Sequence, residues 1–202
     1  MKRCLVVGKP NVGKTLFILN FAQYLHMKTI NIKSVYPNGC IENKTYTIEE
    51  GRALLSSINP YKTLCLQILE MDIPVGKGRE TFEIIDSSGL TDGIHKNLDI
   101  RRAMAQTLSV IQKSDIILHL FDISSLYYDD AHNAIGKVDY QLSEFGASRE
   151  GYGILANKTD LIPNNATVVQ LQKEFPQHHV IPISAMTKAG FSEVKTFVCR
   201  RL

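Results

Sequence analysis

Two periods alternate along this chain. Short, β-branched apolar runs recur at Arg3-Cys4-Leu5-Val6-Val7, Thr81-Phe82-Glu83-Ile84-Ile85, Ile116-Ile117-Leu118-His119-Leu120-Phe121, Tyr152-Gly153-Ile154-Leu155-Ala156 and Val180-Ile181-Pro182-Ile183. A near-continuous run such as Ile116 to Phe121 is what a parallel strand buried on both faces requires. Stretches of helical spacing lie between these runs. Leu16, Phe17, Leu19, Asn20, Phe21 and Tyr24 mark a first helix that fades near His26, and Ile100, Met104, Leu108 and Ile111 mark another from about Asn97 to Lys113. Further helices are predicted at about Asp130 to Phe145, Thr167 to Glu174, and Gly190 to Arg200, the last burying Phe191, Val194, Phe197 and Val198. Strands alternating with helices predict an α/β fold of three α/β/α layers, around a mostly parallel sheet of about six strands. Thr63 to Ile73 reads as one more strand, turning through Pro74 to Gly78 into Thr81 to Ile85; this hairpin puts one antiparallel strand at the sheet edge.

The segment from Met27 to Tyr61 shows neither period for long. Thr47-Ile48-Glu49-Glu50 has capping-box spacing and precedes Ala53, Leu54, Leu55 and Ile58, which predicts a short helix. The remainder reads as a decorated, mobile loop, longer than compact domains ordinarily tolerate without a functional reason.

Composition adds mainly exclusions. At 202 residues one domain is expected, and 23 basic against 20 acidic residues leave a formal charge of only +3. Arg101-Arg102 and Arg200-Arg201 are pairs rather than patches, so nucleic acid binding is not supported. Cys4, Cys40, Cys65 and Cys199 have no metal-ligand spacing and read as reduced thiols. No apolar run approaches the 18 or so residues of a membrane span, and the first strand begins too early to leave room for a cleavable signal. A cytoplasmic protein is expected.

The chemistry sits where strands end. Gly8-Lys9-Pro10-Asn11-Val12-Gly13-Lys14-Thr15 meets the G-x-x-x-x-G-K-[ST] pattern between a strand and a helix, the context that pattern needs. Its glycines let backbone N–H groups converge on phosphate oxygens, and the helix that opens at Lys14, Thr15 and Leu16 adds its positive dipole end. Lys14 is placed to reach β and γ phosphates, and the Thr15 hydroxyl to ligate Mg²⁺. Asp86, in Asp86-Ser87-Ser88-Gly89, is positioned to hold that Mg²⁺ through a water, with the Gly89 amide meeting the γ phosphate. Asn157-Lys158-Thr159-Asp160 selects the base. The Asp160 carboxylate accepts from the ring N–H and exocyclic amine of guanine, a donor pair adenine lacks. Asn157 would buttress loops, Lys158 would cover the ring face, and the Ala185 N–H in Ser184-Ala185-Met186 would approach the guanine carbonyl.

These motifs, GKPNVGKT, DSSG, NKTD and SAM in that order over nearly the whole chain, resemble the translation-factor-related class of P-loop GTPases. The Pro10-Asn11 loop is similar to that of the Era, Der, Obg and ferrous-iron-transporter group. The resemblance implies a single Ras-like GTPase domain over 1–202, with a long switch I region at about 27–63 and switch II from Asp86 to about Asn97. It also implies a Mg²⁺-dependent cycle between GTP and GDP, with Lys14 and Gly89 in the catalytic machinery and a protein or ribosomal effector at the switches. It requires a switch I Thr on Mg²⁺; Thr29, Thr45, Thr47 and Thr63 compete, and Asn59-Pro60-Tyr61-Lys62-Thr63 favours Thr63.

Two departures matter. Ser87-Ser88 replaces the usual Thr-Pro, so a less rigid turn is expected. Leu90 stands where Ras-like enzymes place a water-orienting Gln, which predicts slow intrinsic hydrolysis. Asn11 is the candidate K⁺ ligand, since the Asn at this position in similar GTPases holds K⁺ near the phosphates. The alternative is a GTP/GDP-sensing module with negligible hydrolysis until a partner or K⁺ completes the site. His119 reads as a satisfied strand residue, and His95 as a loop residue outside the chemistry.

Overall fold

The computed structural model describes residues 1–55, 64–128 and 134–202. In chain order the strands are β1 Arg3–Val7, β2 Thr29–Val35, β3 Ile41–Thr47, β4 Leu66–Val75, β5 Gly78–Asp86, β6 Ile116–Asp122, β7 Tyr152–Asn157 and β8 His179–Pro182. The helices are α1 Lys14–Tyr24, α2 Ile48–Leu55, α3 Leu98–Ile111, α4 Ile123–Tyr128, α5 Lys137–Gly146, α6 Ala166–Glu174 and α7 Phe191–Cys199, with a 3₁₀ turn at Thr159–Leu161.

Among the described residues eight strands make one sheet in the order β3-β2-β4-β5-β1-β6-β7-β8. β5, β1, β6, β7 and β8 are parallel neighbours, while β4 pairs antiparallel with β5, β2 with β4, and β3 with β2. The sheet is thus two strands wider than expected, and its antiparallel side has three strands where one was expected. The cause lies in the segment read as a loop. Its residues 29–47 form a hairpin whose first strand is stitched to β4, with Ile32 opposite Leu69 and Val35 opposite Leu66. The expected short helix is α2, and its capping box is present: Glu50 N donates to Thr47 Oγ1 at 3.2 Å and Thr47 N donates to Glu50 Oε2 at 2.8 Å. The hairpin into β5 turns more tightly than the sequence suggested, at Gly76-Lys77 alone. Of the single helix expected at 130–145, the described residues show α5; residues 129–133 lie outside them, as does Thr63.

The strands β6 and β7 are buried on nearly every residue, as parallel strands between two helical layers must be. One layer packs Phe17 and Phe21 of α1 against Phe191 of α7, with edge-on ring centroids 5.4 and 5.8 Å apart. The other packs Ile111, Leu126, Leu142 and Leu171 from α3, α4, α5 and α6 onto Leu5, Ile117 and Ile154. Each of these fully buried aromatic or aliphatic side chains contributes roughly 2 kcal/mol through area removed from water. No helix among the described residues is long and apolar enough to cross a membrane.

Candidate functional site

Parallel strands in this order present their carboxyl ends along one edge, and the loops there carry the polar groups. Gly8 to Thr15 follows β1, Asp86 closes β5, Asp122 closes β6, Asn157 closes β7 and Ser184 follows β8.

The phosphate loop opens directly into α1. Gly13 occupies the helix cap in the left-handed region with φ 95°, no side chain caps the first turn, and no acidic residue lies in it. The first N–H groups of α1 therefore remain directed at the loop, an anion site by backbone dipole alone. Lys14 is 7% exposed and donates to the carbonyls of Gly8 at 3.0 Å and Lys9 at 2.7 Å. Burial lowers its amine to about 8, against an opposing pull from Asp86. Lys9, by contrast, points away from the cradle; its amine donates to Ala134 O at 2.7 Å and pairs with Asp139 at 3.3 Å. Asn11 is exposed, with φ 62°, at the outer lip of the loop.

Thr15 Oγ1 donates to Asp86 Oδ2 at 2.5 Å. The other carboxyl oxygen, Asp86 Oδ1, is buried with no hydrogen-bond partner. Burial raises the Asp86 carboxyl to about 6, although Thr15 and Lys14 oppose the rise. A buried carboxylate with an idle oxygen beside a hydroxyl suits a hard divalent cation and its waters, so the donor set fits Mg²⁺.

The turn after Asp86 is held by its serines. Ser87 Oγ donates to Val6 O at 2.7 Å, and Ser88 Oγ lies 3.0 Å from Thr107 Oγ1 on α3. The loss of rigidity expected from the missing Pro is thereby offset by two buried hydroxyl anchors. Gly89 abuts the phosphate loop so closely that a Cβ there would lie 2.6 Å from Pro10 N. Leu90 is 1% exposed and packs in the core beside Val7 and Ile85, with its N–H on Gly8 O at 3.2 Å. Its side chain therefore belongs to the interior and not to the phosphate site. Farther on, Asp92 Oδ1 accepts from Val138 N at 2.7 Å, fastening this segment to the start of α5.

The loops after β7 and β8 are built around Asn157, which is buried. Its Nδ2 donates to Val12 O at 2.7 Å and its Oδ1 accepts from Ala185 N at 2.8 Å. In this structure the Ala185 N–H is taken by Asn157, which meets both halves of its carboxamide by bridging two loops. Lys158, with φ 69°, has its amine on Asp122 Oδ2 at 2.5 Å. Asp160 is exposed and accepts from the buried Ser184 hydroxyl at 2.5 Å, which aims the carboxylate along the loop edge. Met186 is 66% exposed at the tip of that loop. Leu16, in the first turn of α1, is half-buried and packs against the core.

His119 is satisfied, as expected. Its Nδ1 lies 2.6 Å from the Tyr152 hydroxyl and its Nε2 3.1 Å from Asp139 Oδ1, all three groups buried. Sequence reasoning missed the partners: Asp139 on α5, Lys9, and a second group formed by Asn20, Gln23, Arg52 and Lys188. The available sign for that group was Asn20, a polar residue inside the apolar stripe of α1.

A family profile described as 50S ribosome-binding GTPase matches residues 3–158. GTPase Obg of Lachnoclostridium phytofermentans is 26% identical over 200 residues, covering 96% of this chain and 39% of that protein. GTPase Obg of Syntrophobacter fumaroxidans is 29% identical over 125 residues, covering 60% of this chain and 35% of that protein. The chain thus spans little more than a third of the length of these curated relatives. Among solved structures, Era in complex with MgGDPNP and nucleotides 1506–1542 of 16S ribosomal RNA superposes with a TM-score of 0.67 at 17% identity, covering all of this chain and 56% of that one. The G domain of the T. maritima FeoB iron transporter gives a TM-score of 0.58 at 17% identity, covering 100% and 98%.

Proposed function

The chain belongs to the 50S ribosome-binding GTPase family, and from that premise we propose that it binds GTP with Mg²⁺ and hydrolyses it to GDP and phosphate, working as a molecular switch. The observation that carries this reading is the Asn157 carboxamide, which ties Val12 in the phosphate loop to Ala185 in the base loop and so joins triphosphate and guanine sites into one pocket. On binding, Lys14 would exchange its two carbonyl acceptors for β and γ phosphate oxygens, and Asp160 would accept from the guanine edge. When bound, Mg²⁺ on Thr15 and Asp86 would neutralise charge on those oxygens. The first N–H groups of α1 and the Gly89 amide would receive the charge that develops as water attacks the γ phosphorus and the bond to the bridging oxygen breaks. Thr63 is the proposed switch I ligand and lies outside the described residues.

With Leu90 interior, no side chain at that position orients the attacking water. The second reading, a nucleotide sensor that turns over only when completed, draws its support from this burial, and K⁺ held by Asn11 is the proposed completing charge. A ribosomal partner is supported by the family's description, by the RNA in the Era complex, and by Ile94 and Leu98, apolar and exposed in the segment after Gly89. A cytoplasmic site of action accompanies that proposal. Calorimetry with Mg²⁺ should give GTP and GDP binding far tighter than ATP, and single-turnover hydrolysis should run faster in K⁺ than in Na⁺ at equal ionic strength. ATP bound as tightly as GTP would overturn the pocket; equal rates in the two salts would remove K⁺.

A further inference from the structure

Helix α2 lies over the half of α1 farther from the phosphate loop. Its Gly51 comes so near that a Cβ would sit 3.1 Å from Ile30 Cδ1 and 3.3 Å from Leu19 Cδ2, which brings the next residue, Arg52, onto the polar side of α1. There Arg52 Nε donates to Asn20 Oδ1 at 2.6 Å, and its Nη2 donates to Gln23 Oε1. Asn20 is 3% exposed and uses its other half: Nδ2 donates to Ala185 O at 2.6 Å. A guanidinium can only donate, so the amide orientation of Asn20 is fixed, with its N–H₂ toward the base loop. Lys188, farther along the same loop, donates to the same Gln23 Oε1 at 2.6 Å. One arginine on α2 thus grips both α1 side chains that hold the loop of residues 184–189.

That loop also orients the base-selecting carboxylate, since Ser184 Oγ donates to Asp160. We propose that Arg52 and Asn20 are positioning residues that fix the base loop, so that α2 sets how fast guanine nucleotide leaves. The inference rests on the reading of Asp160 and its neighbours as the guanine site. The contacts of α2 on α1 described above are to Leu19, Asn20 and Gln23, beyond the first turn that carries Lys14 and Thr15, so its effect is expected on retention of the base rather than on cleavage.

The test is dissociation of ribose-labelled fluorescent GDP from the whole chain, by stopped flow, for wild type, Arg52→Ala, Arg52→Lys and, as an exposed control, Arg102→Ala. Loss of a charge-assisted hydrogen bond predicts release about tenfold faster for Arg52→Ala. Arg52→Lys, with one compact donor group for two acceptors, should fall between, and Arg102→Ala should match wild type. Hydrolysis of GTP already bound, followed in a single turnover, should change far less than release. A wild-type release rate in Arg52→Ala overturns the proposal while leaving the guanine site intact, and does so even if the melting temperature drops, since Arg52 would then serve stability alone. A wild-type protein that holds labelled ADP as long as GDP overturns the guanine site and this inference together.

Discussion

Thr15 Oγ1 donates to Asp86 Oδ2 at 2.5 Å and closes the phosphate loop onto the end of β5, leaving Asp86 Oδ1 buried and unpaired. With its carboxyl raised from 3.8 to about 6, the folded protein binds a proton that the unfolded chain has already released. The stability contributed by this group is present below the unfolded value and is lost as pH rises through about 6. Lys14, lowered from 10.5 to about 8, contributes the other way, since stability returns as pH rises from about 8 past the unfolded value. Near neutrality both buried charges are therefore unfavourable in the nucleotide-free protein. Thermal melts should show that Mg²⁺ and GDP stabilise more at about pH 7 than at about pH 5. Asp86→Asn should stabilise the nucleotide-free protein at about pH 7 by roughly 2 kcal/mol and abolish the added stabilisation from Mg²⁺.

Leu90→Gln tests whether the missing catalytic residue can be restored. Position 90 is interior, so the new amide would be buried among Val7 and Ile85 without partners. A loss of about 2 kcal/mol in urea unfolding is expected, with no gain in GTP turnover.

Asp139 is held below the ordinary carboxylate range: burial pushes its carboxyl up, but His119, the Gly136 N–H and Lys9 outweigh it. A depressed carboxylate lends stability above its unfolded pKa and loses it as pH falls into the folded one, so this contribution is intact at neutral pH. Asp139→Ala removes one partner from a buried cluster and should cost about 3 kcal/mol by denaturant titration, with Asp139→Asn milder.

Asp160→Asn replaces an acceptor with a side chain that also donates. Guanosine nucleotides should weaken by about 10³-fold in calorimetry, while xanthosine nucleotides, whose ring carries a carbonyl in place of the amine, should gain.

The site was legible in the sequence because its motifs are local: Gly8 to Thr15, Asp86 to Gly89 and Asn157 to Asp160 each carry their meaning within a few residues of a strand end. The hairpin of β2 and β3 was not. β3 is almost wholly exposed, so it has no buried face to impose a period of two, and β2 buries only Ile30 and Ile32. The sign that was present is Asn38-Gly39, a strong turn dipeptide, and the chain does reverse there, with Tyr36 N on Cys40 O at 2.9 Å and Gly39 at φ 86°. Contacts such as Arg52 with Asn20, or Lys9 with Asp139, join residues 32 and about 130 positions apart, and no local pattern encodes such a meeting.

The extra hairpin also changes what the sheet offers to its surroundings. Without it, β4 would end the sheet with Leu66, Leu69 and Met71 beside an open row of backbone donors and acceptors. With it, the outermost strand among the described residues is β3, where Glu42 and Lys44 pair at 3.1 Å and Asn43 and Thr45 stand exposed. Apart from Ile41 at its start, this rim is polar and charge-bearing, a poorer template for another chain than the apolar β4 edge that it covers.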